Sequence, residues 1–188
     1  MAIGDTFETF LKSGNSGNTL HDMAVAFANL SKVEASALQN LRDMIVTKTD
    51  ELSQITALMS TLRGYRPTTT DNASKEAGSG TMSDFGKTNA ESQALLSKLT
   101  FWGVKINDKD VEKPGGDSKP YRVNQGTYDQ WLTMLQSASD TVMSKIKELQ
   151  TTTESLLDQW SKFLDWVSTF IKKNGENFQA VTNNFRVR

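Results

Sequence analysis

Two long stretches of the chain contain neither glycine nor proline, and in both the apolar residues recur at alternating spacings of three and four. The first runs from Asn18 to Arg63, with a seam of Leu38, Leu41, Ile45, Lys48, Leu52, Ile55, Met59 and Leu62. Upstream, Leu20, Ala24 and Phe27 carry the phase loosely, and it weakens at Ser31 and Glu34. The second runs from Thr127 to Asn174, with Ile146, Leu149, Leu156, Trp160, Phe163, Val167 and Phe170 on one seam and Thr153 as its polar member. A repeat averaging 3.5 residues holds one stripe of a helix against a partner helix. Lys48 can lie on such a stripe by running its methylene stem along the core and its ammonium out to water.

The two arms are nearly equal in length, and an inserted segment joins them, which predicts an antiparallel helical hairpin. With Arg63 level with Thr127, Met59 meets Trp131, Ile55 meets Leu135, and Leu41 meets Leu149; further on, Leu30 meets Trp160 and Phe27 meets Phe163. Apolar positions coincide over most of the length. Asn18 or Thr19 can cap the first arm, Gly64 and Pro67 end it, and Thr127 with Gln130 reads as a capping box opening the second.

All three prolines lie between the arms. Residues 65–90 are rich in Thr, Ser, Gly and Asn, a linker composition. AESQALLSKL predicts a short amphipathic helix through Leu95, Leu96 and Leu99. Gly103–Ile106 and Pro120–Val123, around a Gly/Pro turn, predict a small β-hairpin. The expected fold is mainly α: a long antiparallel helical hairpin, an intramolecular coiled coil, with a small α+β insert between the arms. Its parts are a flexible segment with a short helix over residues 1–17 (Phe7, Phe10, Leu11), a first arm over 18–63, the insert over 64–126, and a second arm with an amphipathic tail over 127–188.

Composition narrows the function classes. The chain has 188 residues, with 21 basic and 22 acidic side chains and a formal charge of −1, so nothing in the bulk charge favours nucleic acid, which needs clustered Lys and Arg. The absence of cysteine removes disulfides, thiol nucleophiles and thiolate metal sites. Residues 1–19 lack a basic patch followed by an apolar run, so any export is expected to proceed without a cleavable Sec signal. No stretch approaches the ~20 apolar residues that span a bilayer, so direct membrane insertion is not expected.

Candidate chemistry is sparse. The single histidine, His21, sits in the first turn of an arm and suits a solvated or capping role. Gly78-Ser79-Gly80 lacks the preceding strand and the lysine of a phosphate loop. Asp108, Asp110 and Glu112 alternate as calcium loops do, without the glycine and terminal glutamate of that motif. No catalytic, cofactor or metal residue is assigned, and the expected protein is not an enzyme.

Apolar surface is left over on the second arm. One residue beyond the seam run Met143, Leu157, Leu164 and Ile171, with Trp166 close by, and past Gly175 the pattern resumes with Phe178, Val181 and Phe185. The C-terminal Arg186 and Arg188 suit a helix end and need no partner to explain them. Seam and outer row together exceed the stripe that one partner helix covers. Two explanations stand open. The N-terminal helix and the C-terminal tail fold back over this face, or Leu157, Leu164, Trp166, Phe170, Ile171, Phe178, Val181 and Phe185 contact neighbouring subunits.

The layout resembles the hydrophilic tip and filament proteins of bacterial type III secretion systems. Tyr128-Asp129-Gln130-Trp131 opens the second arm as Tyr/Trp-containing segments do in invasion-plasmid-antigen-D-like tip proteins, and Phe163–Arg186 is similar to the closing helix of EspA-like filament proteins, notably around Ser168–Lys173. In sequence the likeness covers residues 128–186. The resemblance implies a secreted, surface-exposed structural protein that self-associates and contacts the needle subunit. It further implies a platform for the hydrophobic translocator proteins. Larger tip proteins shield the hairpin with an N-terminal domain; here residues 1–17 stand in that place, which implies either a separate cognate chaperone, as filament-type members use, or a trimmed N-terminus. An intracellular coiled-coil adaptor or chaperone, and a lipid-associating amphipathic protein, are the rival readings; Asp158, Asp165 and Glu176 among the lysines weigh against the second.

Overall fold

The computed structural model describes residues 19–66, 82–107, 111–113, 116 and 119–186; within the helices, the side chains of residues 19–24, 178, 181, 182 and 184–186 are outside the description. The expected short helix around Phe7, the His21 side chain, Gly78–Gly80, and Asp108 and Asp110 therefore lie outside it. The chain is mainly α, and its element order is α1 (Thr19–Tyr65), β1 (Ser83–Phe85), α2 (Asn89–Phe101), β2 (Val111–Glu112), β3 (Tyr121–Val123) and α3 (Gln125–Arg186). Helix α1 packs against α3 as an antiparallel hairpin, and the small α+β insert lies between them in sequence. The described residues divide into two compact units, one of Ile45–Glu148 and the other of Met1–Met44 with Leu149–Arg188.

The unit of Ile45–Glu148 holds the larger core. Helix α1 contributes Ile55, Leu58, Met59 and Leu62, the i, i+3, i+4, i+7 set of one helical face; α2 adds Leu95 and Leu99, and α3 adds Tyr128, Trp131 and Leu135. Phe85, Val104, Val111 and Val123 close the core from the sheet and its loops. The ring of Phe85 meets Tyr128 and Trp131 edge-on, with centroids 5.9 and 5.4 Å apart, a geometry worth about 0.5–1.5 kcal/mol per pair beyond area burial.

The sheet has the order β1-β3-β2, antiparallel throughout. Alternation splits its residues by face. Phe85, Val111 and Val123 point into the core, while Asp84, Arg122 and Glu112 form one cross-strand row in the solvent. Arg122 sits between the two carboxylates, at 3.8 Å from Asp84 and 3.3 Å from Glu112. Exposed pairs of this kind contribute below ~1 kcal/mol each, so their main effect is on register.

Local chemistry sets the ends of α2. Thr88 is its N-cap, accepting from the Glu91 N–H, and Glu91 accepts in turn from the Lys87 N–H and from the Tyr65 hydroxyl at 2.6 Å. The Tyr65 hydroxyl first, and the Lys87 amide second, hold the Glu91 carboxyl below the usual range. Gly86 has φ +95°, and a Cβ there would lie 3.2 Å from the backbone nitrogen of Ser92, so no other residue fits without a shift. The buried Ser92 hydroxyl donates to the Phe85 carbonyl and accepts from the Tyr121 N–H, binding α2 to β1 and β3.

Three expectations are corrected here. The hairpin strand is Val111–Glu112, not Gly103–Ile106: Gly103, at φ +79°, ends α2, and the Val104 N–H bonds back to the Leu99 carbonyl, which takes that stretch out of any ladder. Ser83–Phe85, inside the expected linker, is a strand. Helix α3 starts at Gln125 with Asn124 as its cap, whose Oδ1 accepts from the Thr127 N–H at 2.8 Å; Thr127 is buried, and its hydroxyl has no hydrogen-bond partner. Across the start of α3, Arg66 pairs bidentately with Asp129 at 2.6 and 3.0 Å.

In the second unit, the described residues contribute α1 and α3 alone. On α3 the covered positions are Leu149, Thr153, Leu156, Trp160, Phe163, Val167, Phe170 and Asn174, and every position between them is exposed. On α1 they include Ala26, Phe27, Leu30, Glu34, Leu38 and Leu41. Phe27 stacks between Trp160 and Phe163 at 6.1 and 5.9 Å, the level expected from the register. Thr153 satisfies its hydroxyl on the Leu149 carbonyl at 2.8 Å.

Truncation of Trp131 to Ala is expected to cost about 3–5 kcal/mol in urea denaturation, the usual penalty for emptying a fully buried aromatic site. Trp131→Phe should cost much less, because the indole N–H has no partner to lose. Amide hydrogen exchange should be slower for Ile55–Leu62 than for Phe27–Leu41, since the inner face of the first segment (Ile55, Leu58, Met59, Leu62) is buried in the core and most of the inner face of the second is only half-covered; equal protection would contradict this.

Candidate assembly surfaces

The seam divides by depth of burial. Ile55, Met59 and Leu149 are buried, whereas Leu38, Leu41, Ile45, Leu52, Ile146, Leu156, Trp160, Phe163 and Val167 are half-buried. Lys48 is also half-buried, and its ammonium, expected in open water, is held by Glu51 at 2.7 Å one turn on. Glu34 is the exception to the apolar pattern. It is only 4% exposed, and its Oε1 has no hydrogen-bond partner. Burial pushes its carboxyl above the ordinary carboxylate range.

Outside the seam, α3 presents a row that nothing described covers. Leu157, Leu164 and Ile171 are 48%, 40% and 61% exposed and recur every seven residues, and Met143 continues the row upstream. Trp166 is exposed as well, but it belongs to a different line: Trp160, Phe163, Trp166 and Phe170 stack one on the next along α3, at centroid distances of 5.6, 6.3 and 5.8 Å. Phe170 is half-buried within that stack and faces the seam rather than the row. The acidic side chains beside the row are Asp158, bridged to Lys162 at 2.6 Å, and Asp165, which has no side-chain partner among the described residues.

The fold-back of the C-terminal tail is overturned. Helix α3 continues without a break through Asn174 and Gly175 to Arg186, so the segment carrying Phe178, Val181 and Phe185 extends the helix instead of turning over its own face. Their side chains are outside the description. A Cβ at Gly175 would meet nothing within 4 Å, so the subunit's own packing does not demand glycine there, although glycine in a helix costs about 1 kcal/mol relative to alanine.

A second surface lies in the unit of Ile45–Glu148. Gln54, Ala57, Leu58 and Thr61 of α1 face Glu91, Ala94, Leu95, Lys98, Phe101 and Trp102 on and after α2, and between them runs a groove of about 650 Å³. Leu58 and Leu95 are its buried apolar lining, and the small side chains of Ala57 and Ala94 are exposed along it. At its end stands Phe101, 74% exposed and edge-on to Trp102 at 4.9 Å. Lys98 lines the groove without a partner among the described residues. Sequence reasoning passed over this groove. Its signals were two adjacent aromatics before the glycine that ends α2, and alanines at Ala57 and Ala94 on otherwise polar faces.

Among the described residues no group of His, Asp or Glu side chains could hold a metal ion, and no helix is long and apolar enough to cross a membrane. Tyr128, the most strongly perturbed titratable group, is raised by burial first and is a core residue against Phe85.

Glu34 gives a pH signature. Its folded-state pKa lies above the unfolded one, so its contribution to stability is most favourable below the unfolded value and is lost as pH rises through the folded value. Replacing Glu34 with Gln should therefore stabilise the protein at pH 7, and the advantage should shrink as pH falls toward the ordinary carboxylate range. Denaturation midpoints of both proteins at pH 7 and pH 5 check this; an advantage that grows on acidification would contradict it. No family model, curated protein or solved structure matches this chain.

Proposed function

We propose that this chain is a non-enzymatic structural subunit of a bacterial type III secretion apparatus, assembling at the needle tip or as a filament extending from it. There it serves as a platform for the hydrophobic translocator proteins during effector delivery. The observation that carries the reading is the heptad-spaced row of Leu157, Leu164 and Ile171, exposed on the same helix whose seam makes the fold. A contiguous apolar patch of this kind is rare on a soluble monomer and marks a binding surface. Two further features support it: the antiparallel hairpin with a small α+β insert, and the likeness of residues 128–186 to tip and filament proteins.

In this reading the seam keeps the subunit rigid, the outer row packs against neighbouring subunits or the needle, and the insert offers a separate surface to translocators. A cognate chaperone would cover the row before export. The protein is then exported by the type III apparatus and does not enter the membrane itself.

Ile171→Asp is expected to abolish multimers in light scattering and electron microscopy while circular dichroism stays unchanged, because the side chain is 61% exposed and makes no core contact. Export into the medium of bacteria with and without a functional type III apparatus tests the localisation. Equal amounts in both media, or only cell-associated protein, would sink the proposal.

A further inference from the structure

One heptad of the apolar row matches the α1/α2 groove in length, and the two surfaces carry opposite charges. The row is a ridge: Leu157, Leu164 and Ile171 project seven residues apart, about 10 Å along a helix. The whole ridge spans fourteen residues, about 21 Å, and the groove is shorter: its α1 wall runs the seven residues from Gln54 to Thr61, about 10 Å, so it takes one heptad of the ridge, Leu164 and Ile171. Above the buried Leu58 and Leu95, the small exposed side chains of Ala57 and Ala94 leave room for leucine-sized knobs and allow a helix to approach closely. The charges also correspond. Asp165, next to Leu164 on the ridge, and Lys98, in the groove, each lack an ion-pair partner among the described residues.

From this we infer that the α1/α2 groove of one copy receives the Leu164–Ile171 heptad of the α3 ridge from a second copy, with Lys98 facing the incoming Asp165. This rests on the assembly reading above and names the two surfaces that meet. The contact is heterologous, because ridge and groove are different patches of the chain. Each added subunit therefore leaves one ridge and one groove free, and addition can continue without closing unless the rotation per step forms a ring. Phe101 lies at the groove's end, where the arriving helix removes it from water. A ridge-on-ridge contact between copies would instead be isologous, would stop at a dimer, and would leave the groove and Phe101 unused.

The two geometries separate in a mixing experiment on the full-length protein. Ala57→Trp fills the groove and leaves the ridge intact; Ile171→Asp spoils the ridge and leaves the groove. Both positions are exposed, and circular dichroism verifies that each variant keeps its helicity. Each variant alone is expected to be monomeric in analytical ultracentrifugation. Their equimolar mixture is expected to form a one-to-one complex and nothing larger, since it holds one competent groove and one competent ridge. Multimers of Ala57→Trp alone matching wild type would overturn this inference and leave the assembly proposal standing. A mixture that stays monomeric overturns it as well. Wild type that stays monomeric at all concentrations overturns the assembly proposal and this inference together.

Charge reversal supplies a second readout. Lys98→Glu and Asp165→Lys are each expected to weaken association by about tenfold. Both changes in one chain restore it, because the reversed ridge of one copy then meets the reversed groove of the next. A double variant no better than the singles contradicts the pairing.

Discussion

A pair of helices can cover only one stripe on each partner, and most of this molecule follows from that limit. Where a third layer is present, the stripe becomes a core: Ile55, Met59 and Leu62 are buried in one cluster with Leu95 and Leu99 of α2, Phe85 and Val123. Where the described residues supply only α1 and α3, seam residues as large as Trp160 and Phe163 remain half-covered. Burial of apolar area stabilises by roughly 25 cal/mol per Å², so the first arrangement gains far more per residue than the second. The surplus on α3 is the same limit seen from outside. A helix carrying both a seam and a second apolar row has more to bury than one partner can take.

Glu34 shows that the seam is not tuned for stability alone. A carboxyl on the covered face of α1, with an unpartnered oxygen, lowers the stability of the neutral-pH fold instead of adding to it. Thr153 on the opposite helix avoids such a cost by bonding to its own backbone, and Lys48 avoids it by reaching Glu51. The polar members of the seam thus fall into two kinds: those satisfied locally within one turn of their own helix, and one left with an oxygen unpaired. A single interrupted position of that kind disfavours slipped registers in which the charge would face a larger apolar side chain.

The hairpin and its register could be read from the sequence because heptad spacing is a long signal: Phe27 against Phe163, and Met59 in one cluster with Trp131, are fixed by dozens of residues acting together. The insert was harder because its elements are two or three residues long. Ser83–Phe85 has a single apolar side chain to mark it, and its strand character comes from pairing with Tyr121–Val123, which no local pattern encodes. The cap of α3 was misplaced for a related reason. Thr127 with Gln130 fits the capping-box formula, but Asn124 three residues earlier is an equally good acceptor, and burial of Thr127 decides between them. The break expected at Gly175 failed because one glycine is a cost of about 1 kcal/mol, too small to stop a helix as long as α3.

The groove was illegible for a different reason, and it bears on how the subunit could propagate. Helix periodicity reports where side chains are large; a receiving surface is defined by where they are small, and Ala57 and Ala94 leave no apolar trace in a pattern of heptads. A ridge is therefore visible in one helix, whereas a trough exists only once two helices are placed side by side. A protein that carried a ridge alone could satisfy it only on an identical ridge, and the resulting pair would be closed. With a trough on a different part of the chain that takes one heptad of the ridge, as proposed, the ridge is satisfied by an unlike surface, and each addition leaves another ridge free. Open-ended growth of the proposed kind would depend on α2 as much as on the long helix that first draws attention, because α2 turns a polar face of α1 into one wall of the groove.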